Sequence, residues 1–271
     1  MNKDESINAI PGPVAPVLPP VGVAAPLAAP VTPVVGVVML DTQFPRPPGD
    51  VGNFASWRVP VNFQVVRGIW PDKVVQSAKG LRAGRVVPAF VAIVRGLEKK
   101  GVSAITTSCG FLVLLQKELQ AAVRVPVVTS SLLQLPGLLR QEAQVGVLTI
   151  HAGVLGEEHI RSAGVPRDRV ADVIVQGVDR QGEFASAILG NKPQMDLARA
   201  EADVVAAALA LQARAPQLRT VVLECTNMPP YAAAIRAATG WQVLGLLDSR
   251  VLAPHAAPPA ASESEPAVEA T

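Results

Sequence analysis

Apolar residues in this chain fall into short unbroken runs rich in valine, isoleucine and threonine. VVGVVML (34–40), VSAITTS (102–108), VPVVTSS (125–131), VGVLTI (145–150), DVIVQGV (172–178), TVVLEC (220–225) and WQVLGLL (241–247) each have the length and β-branched content of a buried strand. Between them the apolar spacing shifts to a helical period, over about 84–99, 111–122, 132–142, 155–163, 181–190, 194–214 and 230–238. Strands alternating with helices predict an α/β fold: parallel sheet, helices on both faces.

The pattern repeats itself. Val35-Gly36-Val37-Val38 returns 110 positions later as Val145-Gly146-Val147-Leu148, and ITTSCGF is matched 116 positions later by VLECTNM. Val127 lies 18 residues beyond Cys109, and Val243 lies 18 beyond Cys225. The chain therefore reads as two similar α/β halves, 34–131 and 132–253, related by a pseudo-two-fold axis, with room for the chain to cross between them near both ends. Each half has one cysteine at the carboxyl end of a strand.

Outside these halves the composition changes. From Ser6 to Leu40 there is no charge, but prolines at 11, 13, 16, 19, 20, 26, 30 and 33 are incompatible with a membrane helix. The opening MNKDESIN has more acid than base, unlike a secretory leader. Residues 1–33 and 254–271 are expected to be disordered Pro/Ala-rich tails, and the protein cytoplasmic.

Charge and residue counts remove several functions. With 24 basic and 22 acidic residues and 4% aromatics, neither nucleic acid nor a membrane is an expected partner. Two distant cysteines make no disulfide scaffold, and with three histidines they leave little material for a His/Cys metal centre. Motifs for nucleotide phosphates, serine hydrolases and zinc proteases are missing.

The cysteines carry the chemistry. Open parallel sheets bind ligands beyond the carboxyl ends of their strands, and helix starts favour negative charge there. Thr106, Thr107 and Ser108 lead into Cys109, while Thr226 and Asn227 follow Cys225, short polar groups suited to a carboxylate. A single such cysteine reads as a small buried hydrophobe; two at echoed positions read as a pair. Facing each other across a cleft, one thiolate could remove an acidic α-proton while the opposite thiol returns one to the other face.

These residues resemble the cofactor-independent Asp/Glu/hydantoin racemase family. LECTNMP (223–229) is similar to its second-cysteine motif, TTSCGF (106–111) to its first, and Asp41-Thr42 to the Asp-Ser/Thr beside the first thiol. The resemblance implies two flavodoxin-like halves with the active site between them, no cofactor, and a homodimer. Cys109 and Cys225 are then the catalytic pair. Asp41, Thr42, Thr107, Ser108, Gly110, Thr226 and Asn227 are the residues expected to hold a small-molecule carboxylate.

The chain departs from that pattern at three places. Gly110-Phe111 stands where Asn-Thr is usual, Asn227 where the glutamate enzymes have histidine, and FPRPPGDVGNF (44–54) where a glycine-rich turn is expected. Arylmalonate decarboxylases with one functional cysteine and maleate cis–trans isomerases with both resemble the same scaffold, so two thiols favour racemase or isomerase over decarboxylase. The expected activity is a racemase or epimerase acting on an amino acid or a related α-substituted carboxylate. The alternatives are a maleate-type isomerase or related lyase, and a non-catalytic carboxylate binder.

Other residues have two readings each. Arg46 and Arg58 either pair with a second substrate carboxylate or decorate the surface. His151 sits opposite Asp41 in the repeat, either serving the second thiol or lying in a solvated loop. Glu224 is expected by strand alternation to point away from Cys225, as a structural residue. RPPGDVG makes a rigid loop or a lid.

Overall fold

The computed structural model describes residues 32–83 and 86–258. Of the expected tails at 1–33 and 254–271, residues 1–31 and 259–271 lie outside the described residues, as do Gly84 and Arg85 at the start of the first expected helix.

Two four-stranded parallel sheets form, as the alternating pattern implies. The first contains β1 (Val35–Leu40), β2 (Val61–Val66), β3 (Ala104–Thr107) and β4 (Val127–Val128), in the order β2-β1-β3-β4. The second contains β5 (Val145–Thr149), β6 (Val173–Gly177), β7 (Thr220–Leu223) and β8 (Gln242–Leu244), in the equivalent order β6-β5-β7-β8. The same crossover twice is the three-dimensional form of the sequence echo. Every residue of the central strands β1, β3, β5 and β7 is buried, which is why they read as continuous apolar runs.

β2 is a strand that the pattern missed. Its VNFQVV alternates apolar with polar residues, and all but Val66 are only half-buried, because it is an edge strand paired on one side with β1. The short helices Pro71–Val74 and Ala78–Ala83 were also unforeseen. Three expected helices begin as 3-10 turns: Gly110–Leu115, Ser131–Gln134 and Pro229–Tyr231. Val87–Lys99 and Leu197–Arg214 are full helices, the second capped by the Asp196 side chain.

One apolar core runs continuously through both halves, from Val38, Phe90 and Leu112 to Leu148, Phe184 and Leu211. A second, smaller cluster covers the other face of the first sheet, joining Val35, Val37 and Trp57 to Leu246 and Leu252. The chain thus leaves the second sheet after β8 and returns to the first. Composition placed residues from 254 in a tail. Instead Ala253–His255 is a 3-10 helix, Arg58 donates to the Pro254 carbonyl, and Trp57 bridges to Ala256. This return holds the 44–57 segment against the sheet. No helix among the described residues is long and apolar enough to cross a membrane.

Candidate active site

Leu40, Ser108-Cys109, Ile150 and Glu224-Cys225 follow or end β1, β3, β5 and β7, and all line one cavity. It lies where the carboxyl ends of the central strands of both sheets meet. The two halves are tied there by direct hydrogen bonds. The Thr226 hydroxyl donates to the Ser108 carbonyl (2.8 Å) and the Ser131 hydroxyl to the Leu223 carbonyl (2.6 Å). The cavity is small, about 20 Å³, and walled mainly by Phe44, Phe111, Ile150 and Ile188 beside the polar groups. That is room for about one water.

Both thiols face this space, but their settings differ. Cys109 is half-buried at the start of the 3-10 turn Gly110–Leu115, near the Phe111 and Leu112 N–H groups, the latter of which donates to the Cys109 carbonyl (3.1 Å). Burial pushes its pKa up to about 12, and Glu224 pushes the same way, while the two N–H groups and Arg46 favour the thiolate. Cys225 is buried, and its S–H donates to Asn227 Oδ1 at 3.5 Å. Burial, reinforced by Glu224, holds its pKa well above the ordinary thiol value, while the Asn227 backbone N–H favours the thiolate. Burial thus favours the protonated form of both thiols.

Asn227 leads to a chain of contacts that the sequence did not expose. Its amide donates to Asp50 Oδ2 (2.6 Å), so its oxygen is the end turned toward Cys225. Asp50 Oδ1 accepts from Arg46 (2.8 Å) and from the Gly52 N–H (2.7 Å), and Arg46 also donates to Thr42 Oγ1 (2.9 Å). Arg46 stacks over Phe44 at 4.5 Å. Asp50 is fully buried and Arg46 nearly so, in a segment read from its prolines and glycines as a plain loop or lid. The available signal was the combination Arg-x-x-x-Asp-x-Gly within that segment, a cation and an acid placed to close a turn on themselves.

Several expected residues lie on the wall: Thr42, Ser108, Gly110, Thr226 and Asn227 join both cysteines there. Two do not. Thr107 donates to the Thr129 and Cys109 carbonyls and braces β3 against the following segment. Asp41 turns outward, accepting from the Gly68 N–H (2.9 Å) and pairing with exposed Arg67 (3.4 Å). The acid connected to a cysteine is Asp50, through Asn227 at the second thiol. Of the two arginines weighed, Arg46 reaches the cavity and Arg58 does not; His151 is not on the wall either.

Glu224 also departs from expectation. Strand alternation stops at Leu223, where β7 ends, so Glu224 and Cys225 both reach the cavity. Glu224 Oε2 bonds to Thr149 Oγ1 (2.7 Å), while Oε1 is buried with no partner. Burial raises its pKa to about 8. A Cβ built on Gly110 would overlap both the Glu224 carbonyl and Oε1. The glycine that replaces the usual polar residue after the first cysteine thus clears the volume that the Glu224 carboxyl occupies.

Paired parallel sheets with a thiol at each inner strand end define a two-cysteine α/β scaffold, and comparison with known proteins identifies it. The chain belongs to the Asp/Glu/hydantoin racemase family, whose model matches residues 71–251. A dimethylsulfoniopropionate lyase of Durusdinium sp. clade D is 33% identical over 215 residues, covering 77% of this chain and 69% of that protein. Dimethylsulfoniopropionate lyase 3 of Emiliania huxleyi is 32% identical over 233 residues, covering 82% of this chain and 59% of that one. The chain thus spans about six- to seven-tenths of the length of these relatives. Among solved structures, a cysteine-substituted mutant of arylmalonate decarboxylase in its sulfate-associated form shares the fold, at TM-score 0.51 and 15% identity over 78% of this chain and 87% of that chain.

These relatives overturn the expected racemase or epimerase activity. They are lyases, so the isomerase reading is withdrawn and the lyase alternative takes its place. The thiol count could not separate these reactions, because removal of an α-proton can begin either one. The fate of the resulting carbanion depends on whether the substrate carries a leaving group one carbon further on, and that is a property of the ligand.

Proposed function

We propose that this protein is a lyase that eliminates dimethyl sulfide from dimethylsulfoniopropionate, or from a close β-sulfonium carboxylate, leaving acrylate. Support comes from the unlike settings of two thiols in one desolvated cavity, taken together with the activity named for its relatives.

An elimination needs one base, and Cys109 is the better placed. Two backbone N–H groups and Arg46 favour its thiolate, whereas Cys225 has one such N–H, that of Asn227, and its sulfur donates to the oxygen of an amide locked by Asp50. A thiolate at Cys225 would face that oxygen; a thiol donates to it. The sulfonium cation supplies the missing charge. Entering a cavity of low polarity that must widen beyond its one-water space to admit the substrate, it stabilises the anion beside it, so Cys109 gives its proton to solvent as substrate binds. The Cys109 thiolate then takes the proton from the carbon next to the carboxylate. The electron pair of that C–H bond forms the C=C bond, and the bond from carbon to sulfonium sulfur breaks with its electrons, releasing neutral dimethyl sulfide. Cys109 is left as a thiol, and one proton is released per turnover. Cofactor-free chemistry and a homodimer belong to the same proposal.

The test is direct. Purified protein incubated with dimethylsulfoniopropionate is expected to release dimethyl sulfide, measured by headspace gas chromatography, and acrylate, measured by NMR, in equal amounts. Failure to form either product from this or other β-sulfonium carboxylates would overturn the proposal.

A further inference from the structure

Glu224 is a buried acid with an unused oxygen in the wall of the cavity. Its Oε2 is held by one hydroxyl, that of Thr149, and its Oε1 meets no donor. A carboxylate there would have a single hydrogen bond and a bare oxygen in a desolvated site, a costly state. A carboxylic acid suits the same surroundings. Oε2 accepts from Thr149, and the proton on Oε1 points into the cavity, where the acceptor is supplied by a ligand. Gly110 leaves the space for this arrangement, since any side chain there would strike Oε1.

We propose that Glu224 works as a neutral carboxylic acid whose Oε1 donates a hydrogen bond to the carboxylate of the substrate, holding it as negative charge builds there during loss of the α-proton. The inference rests on the reading of the cavity as a carboxylate site, and its test is kept separate from turnover. The other titratable groups around the cavity are two thiols, an ion pair, two histidines and a tyrosine. Cys109 and Cys225 have pKa values pushed up by burial, Cys109 to about 12. Arg46 and Asp50 pair with each other. His151, beyond β5, and His159, which packs edge-on against Phe111, have pKa values lowered by burial and stay neutral above pH 7. Tyr231, raised to about 12 by burial, also stays neutral. Among the shifted groups of this neighbourhood, Glu224 is the one that burial places at about 8.

Propionate, a short acid without a leaving group, is the probe. Calorimetric titration should show nearly constant affinity from pH 6 to 7.5, then a loss of about tenfold per pH unit above about pH 8 as Glu224 ionises. Glu224→Gln keeps a neutral donor; it should bind propionate within about threefold of wild type at pH 6 and show no alkaline loss. Infrared titration of the wild-type protein, which does not depend on any variant folding, should show a protonated carboxyl band that persists at pH 7, shifts with propionate and vanishes through pH 8. The proposal is overturned by propionate affinity that is flat from pH 6 to 9, by no propionate binding at pH 6, by an alkaline loss retained in Glu224→Gln, or by no such band. Loss of dimethyl sulfide release with pH-linked propionate binding intact would sink the elimination and leave the role of Glu224 standing. An active lyase whose propionate binding ignores pH would do the reverse.

Discussion

The two halves share a topology and differ where it matters. In the first, Ser108-Cys109-Gly110-Phe111 runs into a 3-10 turn whose residues are all buried. In the second, Glu224-Cys225-Thr226-Asn227 is polar, and Asn227 is anchored through Asp50 and Arg46 to the segment that follows β1. Duplication placed two thiols at equivalent strand ends with backbone N–H groups that favour the thiolate at each, and divergence gave the first the Arg46 charge and the second an amide oxygen as acceptor. A reaction that treats both faces of a carbon alike calls for like partners. An elimination tolerates unlike ones, and this site has them.

Four substitutions can break or sharpen that contrast. The largest effect is expected for Cys109→Ala, which removes the proposed base and should lower kcat for dimethyl sulfide release roughly 10⁴-fold with the near-UV circular dichroism spectrum intact. Next comes Asp50→Ala, which strands Arg46 and the Asn227 amide inside the protein. It should cost about 3–5 kcal/mol in urea unfolding, because a buried ion pair loses one partner. Gly110→Ala drives a methyl group into Glu224 and should destabilise by about 1–3 kcal/mol in the same assay, with a matching loss of propionate affinity. The smallest is Cys225→Ser, which retains a donor to Asn227 and should lower kcat only about tenfold. Equal losses at Cys109 and Cys225 would restore symmetry between the halves and contradict the assignment of one base.

Much of the scaffold was legible because burial writes itself into composition. Strands enclosed on both faces, such as β1 and β5, are apolar throughout and could be read directly. β2, an edge strand with Asn62 and Gln64 in its run, lacks that signature. The cysteines were legible because they repeat. Asp50 was not, since its partners Arg46 and Asn227 are joined only by folding, the latter 177 positions away. Asp41, adjacent to a strand end and similar to a family motif, drew attention, but its carboxylate is taken by Gly68 and Arg67. Glu224 was misread because alternation was extended one residue past the end of β7. What separates a lyase from a racemase leaves no trace in spacing, since the same strands can serve both reactions.

The reluctance of both thiols to ionise has a further consequence. In the proposed reaction the product is an electron-poor alkene, which alkylates free thiolates. After each turnover Cys109 carries the proton it removed, and with a pKa near 12 it keeps that proton until another cation arrives. The same desolvation that makes the base hard to prepare thereby shields it from the molecule it creates.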